Sequence, residues 1–223
     1  PSARWRGFNL LGMFRANYAG LKPDPRVDDC FKEEEFRWIS DWGFNFVRLP
    51  LDYRTLIKDD DWSVLSDGQM AKLDQAIAWG RQYGIHVQVA LHRIPGYCIL
   101  DTTEPFPLGT SPVAQKAACD MWRAFARRWK SIPNEELSFN LFNEPTRHVR
   151  GTNYVKVAKM LIDAIREEDP GRFIVADGNS CAALPVPELL LQPVLLQLLF
   201  LRLPVLHPEQ RRENHRARHN RAR

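Results

Sequence analysis

The stretch GFNFVRLP, residues 43–50, is the pattern from which the fold prediction starts. Gly43 ends a helix-like stretch that begins at three acids, residues 33–35, because acids favour the first turn of a helix and glycine favours its end. A short apolar run follows, and Pro50 closes it. Arg48 stands near the end of this run, where a buried strand would leave its sheet. The pattern predicts one helix followed by one strand.

The same unit recurs along the chain. Strand-like stretches lie at 6–11, 44–49, 85–91, 137–143 and 173–177, and helical faces alternate with them. This alternation predicts a parallel α/β sheet with about five βα units. The pattern alone allows either an incomplete (β/α)₈ barrel or an open, doubly wound sheet. It does not favour a dinucleotide-binding version, because the first strand lacks a GxGxxG turn.

The composition changes after residue 187. Residues 188–206 contain ten Leu, and residues 207–223 contain six Arg and three His, whereas Lys, Asp, Gly, Trp and Tyr are absent from both. We therefore predict a partial barrel domain at 1–187. The Leu-rich, then Arg/His-rich tail at 188–223 is interpreted as frame-shifted or disordered, and the alternative is a genuine natural C-terminus.

The charge of the chain is concentrated in this tail. Residues 188–223 carry seven Arg, no Lys and three Glu, which accounts for the whole formal charge of +4. The basic balance therefore belongs to the tail and does not predict a nucleic-acid partner.

Other whole-chain features exclude several classes of protein. The four cysteines form no CxxC pair, so we expect no metal, redox centre or other cofactor. No run of 18 apolar residues is present, so we expect no membrane-spanning helix. The first residue is Pro1, which leaves open a removed signal peptide and secretion. We expect a monomer.

Polar residues stand at the predicted strand ends, where parallel α/β sheets form their sites. Arg48, His92, Asn143 and Glu144 each occupy such a position. A carboxylic acid there can protonate a leaving oxygen, an amide can bind a hydroxyl, and an arginine can keep a second carboxylate ionised. These groups suit cleavage of a glycosidic bond, which uses two carboxylates. Asp177, before Gly178, is interpreted as a turn former.

Four motifs in order resemble glycoside hydrolase family 5, the cellulase-type family of the retaining clan A. They are RGFNL at 6–10, GFNFVRLP at 43–50, ALHRIPG at 90–96 and FNLFNEP at 139–145. The resemblance covers residues 4–187. It implies a (β/α)₈ barrel and retaining, endoglucanase-like hydrolysis of a β-linked polysaccharide or oligosaccharide.

The resemblance also implies roles for individual residues. Glu144 would be the general acid and then the general base, and Asn143 would contact the sugar 2-hydroxyl. Arg48 would support the nucleophile, and His92 would line the subsite where the bond is cut. Tyr53 and Tyr97, close to strand ends, are expected to stack on sugar rings.

One departure from the family pattern limits the expected activity. The family's nucleophilic glutamate after strand seven has no counterpart here, and neither do the His-x-Tyr pair after strand six and the Trp of strand eight. Glu188, Glu209 and Glu213 lie in the tail. We therefore expect the chain not to complete hydrolysis. The alternative function is a non-catalytic carbohydrate-binding remnant.

Overall fold

The computed structural model describes residues 4–13, 30–99, 104–146, 149–189 and 195–197. These residues form a six-stranded sheet and a separate two-stranded hairpin. The strands are β1 (Gly7–Asn9), β2 (Phe46–Asp52), β3 (Ile57–Lys58), β4 (Asp61–Leu65), β5 (His86–Arg93), β6 (Leu137–Asn140), β7 (Ile174–Asp177) and β8 (Leu195–Gln197).

The order of the strands decides between the two architectures. The large sheet runs β1-β2-β5-β6-β7-β8, and every neighbouring pair is parallel. The hairpin of β3 and β4 is an insertion after β2. A doubly wound sheet reverses its strand order at a switch point, whereas a barrel adds each strand beside the last one. The order found here is therefore that of a partial (β/α) barrel.

Helices connect the strands of the large sheet. They are α1 (Glu33–Asp41), α2 (Asp67–Gln82), α3 (Pro112–Trp129), α4 (Thr152–Glu168) and the short α5 (Asn179–Ala182), with 3₁₀ turns at Tyr53–Thr55 and Pro187–Leu189. Pro112 suits the first turn of α3, because its fixed φ is already helical and its missing N–H has no partner to lose there. None of the helices in the described ranges is long and apolar enough to cross a bilayer.

The hydrophobic core lies between the sheet and the helices. Trp122 of α3 is fully buried, and its ring lies 5.1 Å from that of Phe139 on β6. In β2, the side chains of Val47 and Leu49 are fully buried and alternate with the half-buried Arg48. Successive strand residues face opposite sides of a sheet, so Arg48 points away from the helix-covered face.

The sheet continues past the expected domain boundary at 187. The backbone of β8 pairs in parallel with β7, with Leu195 opposite Val175. The sequence shows no apolar/polar alternation here, so this strand was not predicted, and its first residue, Leu195, is 50% exposed. The boundary itself stays a prediction. The Arg/His-rich end, and the rest of the tail from 198 to 223, lie outside the described residues.

Candidate active site

The sheet delivers Glu144 to its C-terminal rim. Although β6 ends at Asn140, the backbone keeps pairing with both neighbouring strands for three more residues. The Leu141 N–H donates to the Val175 carbonyl at 3.0 Å, and the Asn143 N–H donates to the Leu91 carbonyl at 3.2 Å. The next residue, Glu144, therefore lies where β5, β6 and β7 end.

Arg48 connects the ends of three strands. Its Nη2 donates to Asn140 Oδ1 at 2.8 Å and to Asn143 Oδ1 at 3.0 Å, and its Nη1 donates to Asn9 Oδ1 at 3.4 Å. Burial lowers the pKa of the guanidinium, while the nearby carboxylates of Asp177 and Glu144 oppose that shift. The structure thus brings together Arg48, Asn143 and Glu144, three of the residues selected from the sequence.

The backbone of Glu144 adopts a conformation that few residues with a side chain adopt. Its φ is +49°, in the left-handed region, which costs a residue with a Cβ about 1–2 kcal/mol. Two hydrogen bonds hold the residue there. The Glu144 N–H donates to Asp177 Oδ2 at 2.9 Å, and the Tyr97 hydroxyl donates to the Glu144 carbonyl at 2.7 Å.

The environment of Glu144 favours its protonated form. Burial raises the pKa of the half-buried carboxyl group, the charge of Asp177 raises it further, and Arg48 opposes both. A general acid must hold a proton at the working pH, and a carboxyl pKa above its usual range favours that form. The direction of the shift fits a proton donor.

His92 is the second-last residue of β5, at the same rim, and is half-buried. Burial, together with the positive charges of Arg48 and Arg93, lowers the pKa of its imidazole to about 4. The ring is therefore neutral near neutral pH, and it can contact a ligand through hydrogen bonds but brings no positive charge to the site.

The two tyrosines expected to stack on sugars are inside the protein. Tyr97 has no exposed surface and Tyr53 is 3% exposed, so neither ring presents a face to a ligand. Tyr97 instead supports the carbonyl of Glu144, and the Tyr53 hydroxyl donates to Glu104 Oε2 at 2.7 Å. The stacking role expected for both residues does not fit this burial.

Other aromatic rings reach solvent beside Tyr53. Trp62 of β4 packs edge-on against Tyr53 with ring centroids 5.7 Å apart. Phe106, which is 44% exposed, packs edge-on against Trp62 at 6.1 Å. The search for polar residues at strand ends did not select these two rings, because they lie in a hairpin and in a loop.

Two buried residues that connect the site, Asp177 and Asn140, were not selected from the sequence. Asp177 is 1% exposed, so it is not the turn former expected beside Gly178. Its Oδ1 accepts a hydrogen bond from Asn140 Nδ2 at 2.8 Å, while Asn140 Oδ1 accepts from Arg48. Two features of the sequence could have indicated them: Asn140 is a polar residue in an apolar strand, and Asp177 is an acid at the last position of another strand.

Gly96, beside Tyr97, is expected to tolerate no side chain. Its φ is +81°, and an added Cβ would lie 2.4 Å from the Phe106 carbonyl oxygen and 2.6 Å from Ala114 Cβ. We expect Gly96→Ala to lower the free energy of unfolding by about 2–4 kcal/mol, combining backbone strain with overpacking. Urea denaturation followed by circular dichroism measures the loss.

Gly84→Ala is the matched control for this prediction. Gly84 also has a positive φ, +66°, but no atom lies within 4 Å of the position of an added Cβ. We expect a loss of about 1–2 kcal/mol there, from backbone strain alone. Equal losses in the two variants would contradict the close packing around Gly96.

A cavity lies at the opposite end of the sheet. It has a volume of about 630 Å³, and its lining includes Trp5 and His86, whose rings stack 4.0 Å apart. Both ring nitrogens of His86 are engaged there, one with the Glu135 carbonyl at 3.0 Å and one with Ser138 Oγ at 2.7 Å. Neither ring nitrogen of His86 is therefore left to bind a ligand in this cavity, which lies away from Arg48, Asn143 and Glu144.

A partial barrel that places a protonatable glutamate at the same rim as a guanidinium and an amide has the features of a glycoside hydrolase. Comparison with known proteins agrees. The family model of the cellulases, glycosyl hydrolase family 5, matches residues 24–200. The chain belongs to this family, as the motifs in its sequence imply.

Three similar proteins illustrate the match. Endoglucanase C of Acetivibrio thermocellus is 29% identical over 174 residues, which are 78% of this chain and 49% of the relative. A crystal structure of a glycoside hydrolase, also 29% identical, has a TM-score of 0.78 and covers 87% of this chain and 58% of its own. Pseudomonas stutzeri endoglucanase Cel5A in complex with cellobiose, 22% identical, shares the fold with a TM-score of 0.65 over 79% of this chain and 51% of its own. The chain spans about half the length of the curated relatives it matches.

Proposed function

We propose that this chain binds β-linked gluco-oligosaccharides at the C-terminal rim of its sheet, with Glu144 as the acid/base of a retaining glycoside hydrolase. One observation carries the proposal. Glu144 is half-buried, with a raised carboxyl pKa, and its backbone is held beside the pair formed by Arg48 and Asn143. The endoglucanase names of the relatives and the cellobiose bound to one neighbour support a cellulose-type ligand.

The geometry gives each group a separate task. Glu144 donates its proton to the oxygen of the departing sugar and later removes a proton from the attacking water. Arg48 occupies the oxygen of the Asn143 amide, so the amide hydrogens can donate to a sugar hydroxyl. The neutral imidazole of His92 adds a hydrogen-bonding group on the neighbouring strand end.

A retaining mechanism also needs a second carboxylate about 5–5.5 Å from the first. Asp177 does not fit that role, because it is buried and both oxygens accept hydrogen bonds. Glu104 accepts hydrogen bonds from Tyr53 and from the Gly96 N–H. Glu188 is exposed after β7. Among the described residues we therefore assign no nucleophile, and this favours the second candidate function, carbohydrate binding without hydrolysis.

Titration with cellotetraose tests the binding proposal. We expect saturable binding by isothermal titration calorimetry, and we expect Asn143→Ala to weaken it roughly tenfold, because a hydrogen bond in a partly buried site is lost. The effect should appear as a higher dissociation constant with an unchanged stoichiometry.

Asn45→Ala is the control. Asn45 lies at the opposite end of the sheet, where its Oδ1 accepts from the Arg6 N–H at 2.9 Å and its Nδ2 donates to the Arg4 carbonyl. We expect the affinity of this variant to equal that of the wild type. If neither β-1,4- nor β-1,3-linked gluco-oligosaccharides bind saturably to the wild type, the proposed ligand class is wrong.

A further inference from the structure

We propose that Asp177 is a positioning residue of this site, which holds the peptide of Glu144 directly and the guanidinium of Arg48 through Asn140. The inference rests on the proposed function, because it takes Glu144 and Arg48 as the working groups. Asp177 contacts no ligand in this scheme, since its side chain is buried beneath the rim.

A continuous chain of hydrogen bonds carries the inference. Asp177 Oδ2 accepts from the Glu144 N–H at 2.9 Å, and Asp177 Oδ1 accepts from Asn140 Nδ2 at 2.8 Å. Asn140 Oδ1 then accepts from Arg48 Nη2 at 2.8 Å and from Arg48 Nε at 3.2 Å. One carboxylate therefore sets the position of the acid and of the cation opposite it.

The chemistry of the neighbours explains why this position holds a carboxylate. Both groups that reach Asp177, the Glu144 N–H and the Asn140 amide nitrogen, are donors. An ionised Asp accepts through both oxygens, whereas an Asn in its place would point an NH₂ group at one of the two donors. An isosteric amide therefore breaks the chain without changing its size.

The backbone of Glu144 explains why such a support is needed. Glu144 combines a positive φ with a following proline, Pro145, and both features restrict a residue that carries a Cβ. Asp177 holds the N–H of this residue and Tyr97 holds its carbonyl. Because both the N–H and the carbonyl of Glu144 are held, the direction of its Cα–Cβ bond is fixed.

The test is the Glu144 amide signal in ¹⁵N–¹H NMR spectra of the whole chain. An N–H that donates to a carboxylate resonates downfield and exchanges slowly with water. We expect Asp177→Asn to move this signal upfield, to speed its exchange and to weaken cellotetraose binding about tenfold or more.

The double variant Asp177→Asn with Asn140→Asp is the rescue. It reverses the polarity of one hydrogen bond, because the new amide at 177 donates to the new carboxylate at 140 and still accepts from the Glu144 N–H. The new carboxylate also accepts from Arg48, so the net charge is that of the wild type, and the bond that is lost is the long one, 3.4 Å, from Asn140 Nδ2 to the Val175 carbonyl. We expect this variant to regain part of the downfield shift, because the acceptor is now an amide oxygen, together with slow exchange and most of the affinity.

Tyr154→Phe is the control for a purely structural effect. The Tyr154 hydroxyl donates to the backbone carbonyl of Asp177, not to its side chain. We expect this variant to be less stable while its Glu144 amide signal stays in place.

Two outcomes would overturn the positioning role. One is an unmoved Glu144 amide signal in folded Asp177→Asn, and the other is a double variant that folds without regaining the signal. If the single variant does not fold, the double variant decides alone. The proposed function can fail separately. If the amide signals move and recover as expected but the chain binds no sugar, the positioning role is upheld and the proposed ligand is wrong.

Discussion

The chain is expected to release no detectable phenol from an aryl β-cellobioside. Its rate of hydrolysis should be lower than that of a complete retaining enzyme by a factor on the order of 10⁴ or more. In double displacement a carboxylate attacks the anomeric carbon while the acid protonates the departing oxygen. Glu144 fits the second task, but the carboxylate that acts on it electrostatically, Asp177, is buried and engaged. Among the residues that the structure describes, a sugar bound at the rim would meet an acid and no assigned nucleophile.

A small anion offers a sharper test of this explanation. We expect azide to restore cleavage of the aryl glycoside, because it can attack the anomeric carbon from the face opposite the departing oxygen, where no described residue supplies a nucleophile. The carbon–azide bond forms as the glycosidic carbon–oxygen bond breaks, and the departing oxygen takes the proton of Glu144. The product of this single displacement is the α-glycosyl azide.

The variant Glu144→Gln separates the two tasks. With a substrate whose phenol is a poor leaving group, this variant should lose the azide-dependent reaction. With a substrate whose phenol is a very good leaving group, the variant should retain the reaction, because a stable phenolate needs no proton. Turnover by the unaided chain that Glu144→Gln abolishes would show that a second carboxylate is in place, and the binding-only interpretation would then be wrong. Liquid chromatography of the products distinguishes the azide from free sugar.

Replacement of Arg172 by Met is expected to lower the free energy of unfolding by about 3–5 kcal/mol. Arg172 is 2% exposed. Its Nη2 donates to the carbonyls of Trp129 and Ile132 at 2.8 and 2.9 Å, and its Nη1 donates to the carbonyl of Leu137 at 3.0 Å. It thereby joins the end of α3, the following loop and the start of β6.

The loss is large because the substitution removes donors from several groups inside the protein. The carbonyls of Ile132 and Leu137 lose the hydrogen bond from Arg172, and the carbonyl of Trp129 keeps the Ile132 N–H at 3.0 Å. Asp169, 12% exposed at its side chain, loses the cation 2.8 Å away. Each unsatisfied buried acceptor costs about 1–3 kcal/mol. Urea denaturation followed by circular dichroism gives the free energy.

Arg81→Met is the matched control. Arg81 pairs with Glu136 at 2.7 Å, but its side chain is 60% exposed. A surface ion pair of this kind contributes about 0–1 kcal/mol, so the loss should be correspondingly small. Similar losses in the two variants would mean that the buried hydrogen bonds of Arg172 do not stabilise the fold.

The positions of the strands followed from the sequence because their signals are local. An apolar run recurs at each βα unit, a glycine precedes it at 44–49, 85–91 and 173–177, and the observed strands lie within or close to the predicted stretches. Arg48, His92, Asn143 and Glu144 were selected for the same reason, since parallel strands deliver their ends to one rim. The hairpin of β3 and β4 does not have this βα pattern, so it was not predicted from the sequence.

The supports of the site were not predictable in this way. Asp177 before Gly178 has the local appearance of a turn, and Tyr97 that of a surface aromatic. Their roles depend on hydrogen bonds to Glu144, which is 33 residues from Asp177 and 47 from Tyr97 along the chain. Arg172 likewise follows a Pro-Gly turn, and its contacts with the end of α3 are 40 or more residues away.

The sequence by itself determined the α/β class, the glycoside hydrolase family and the four polar residues at the rim, because periodicity and strand-end position are properties of neighbouring residues. Only the tertiary structure decided the order of the strands, the burial of Tyr53 and Tyr97, and the link from Asp177 through Asn140 to Arg48. Burial and hydrogen-bond partners arise when strands distant in the chain become adjacent, and no local pattern records which donor will meet which acceptor.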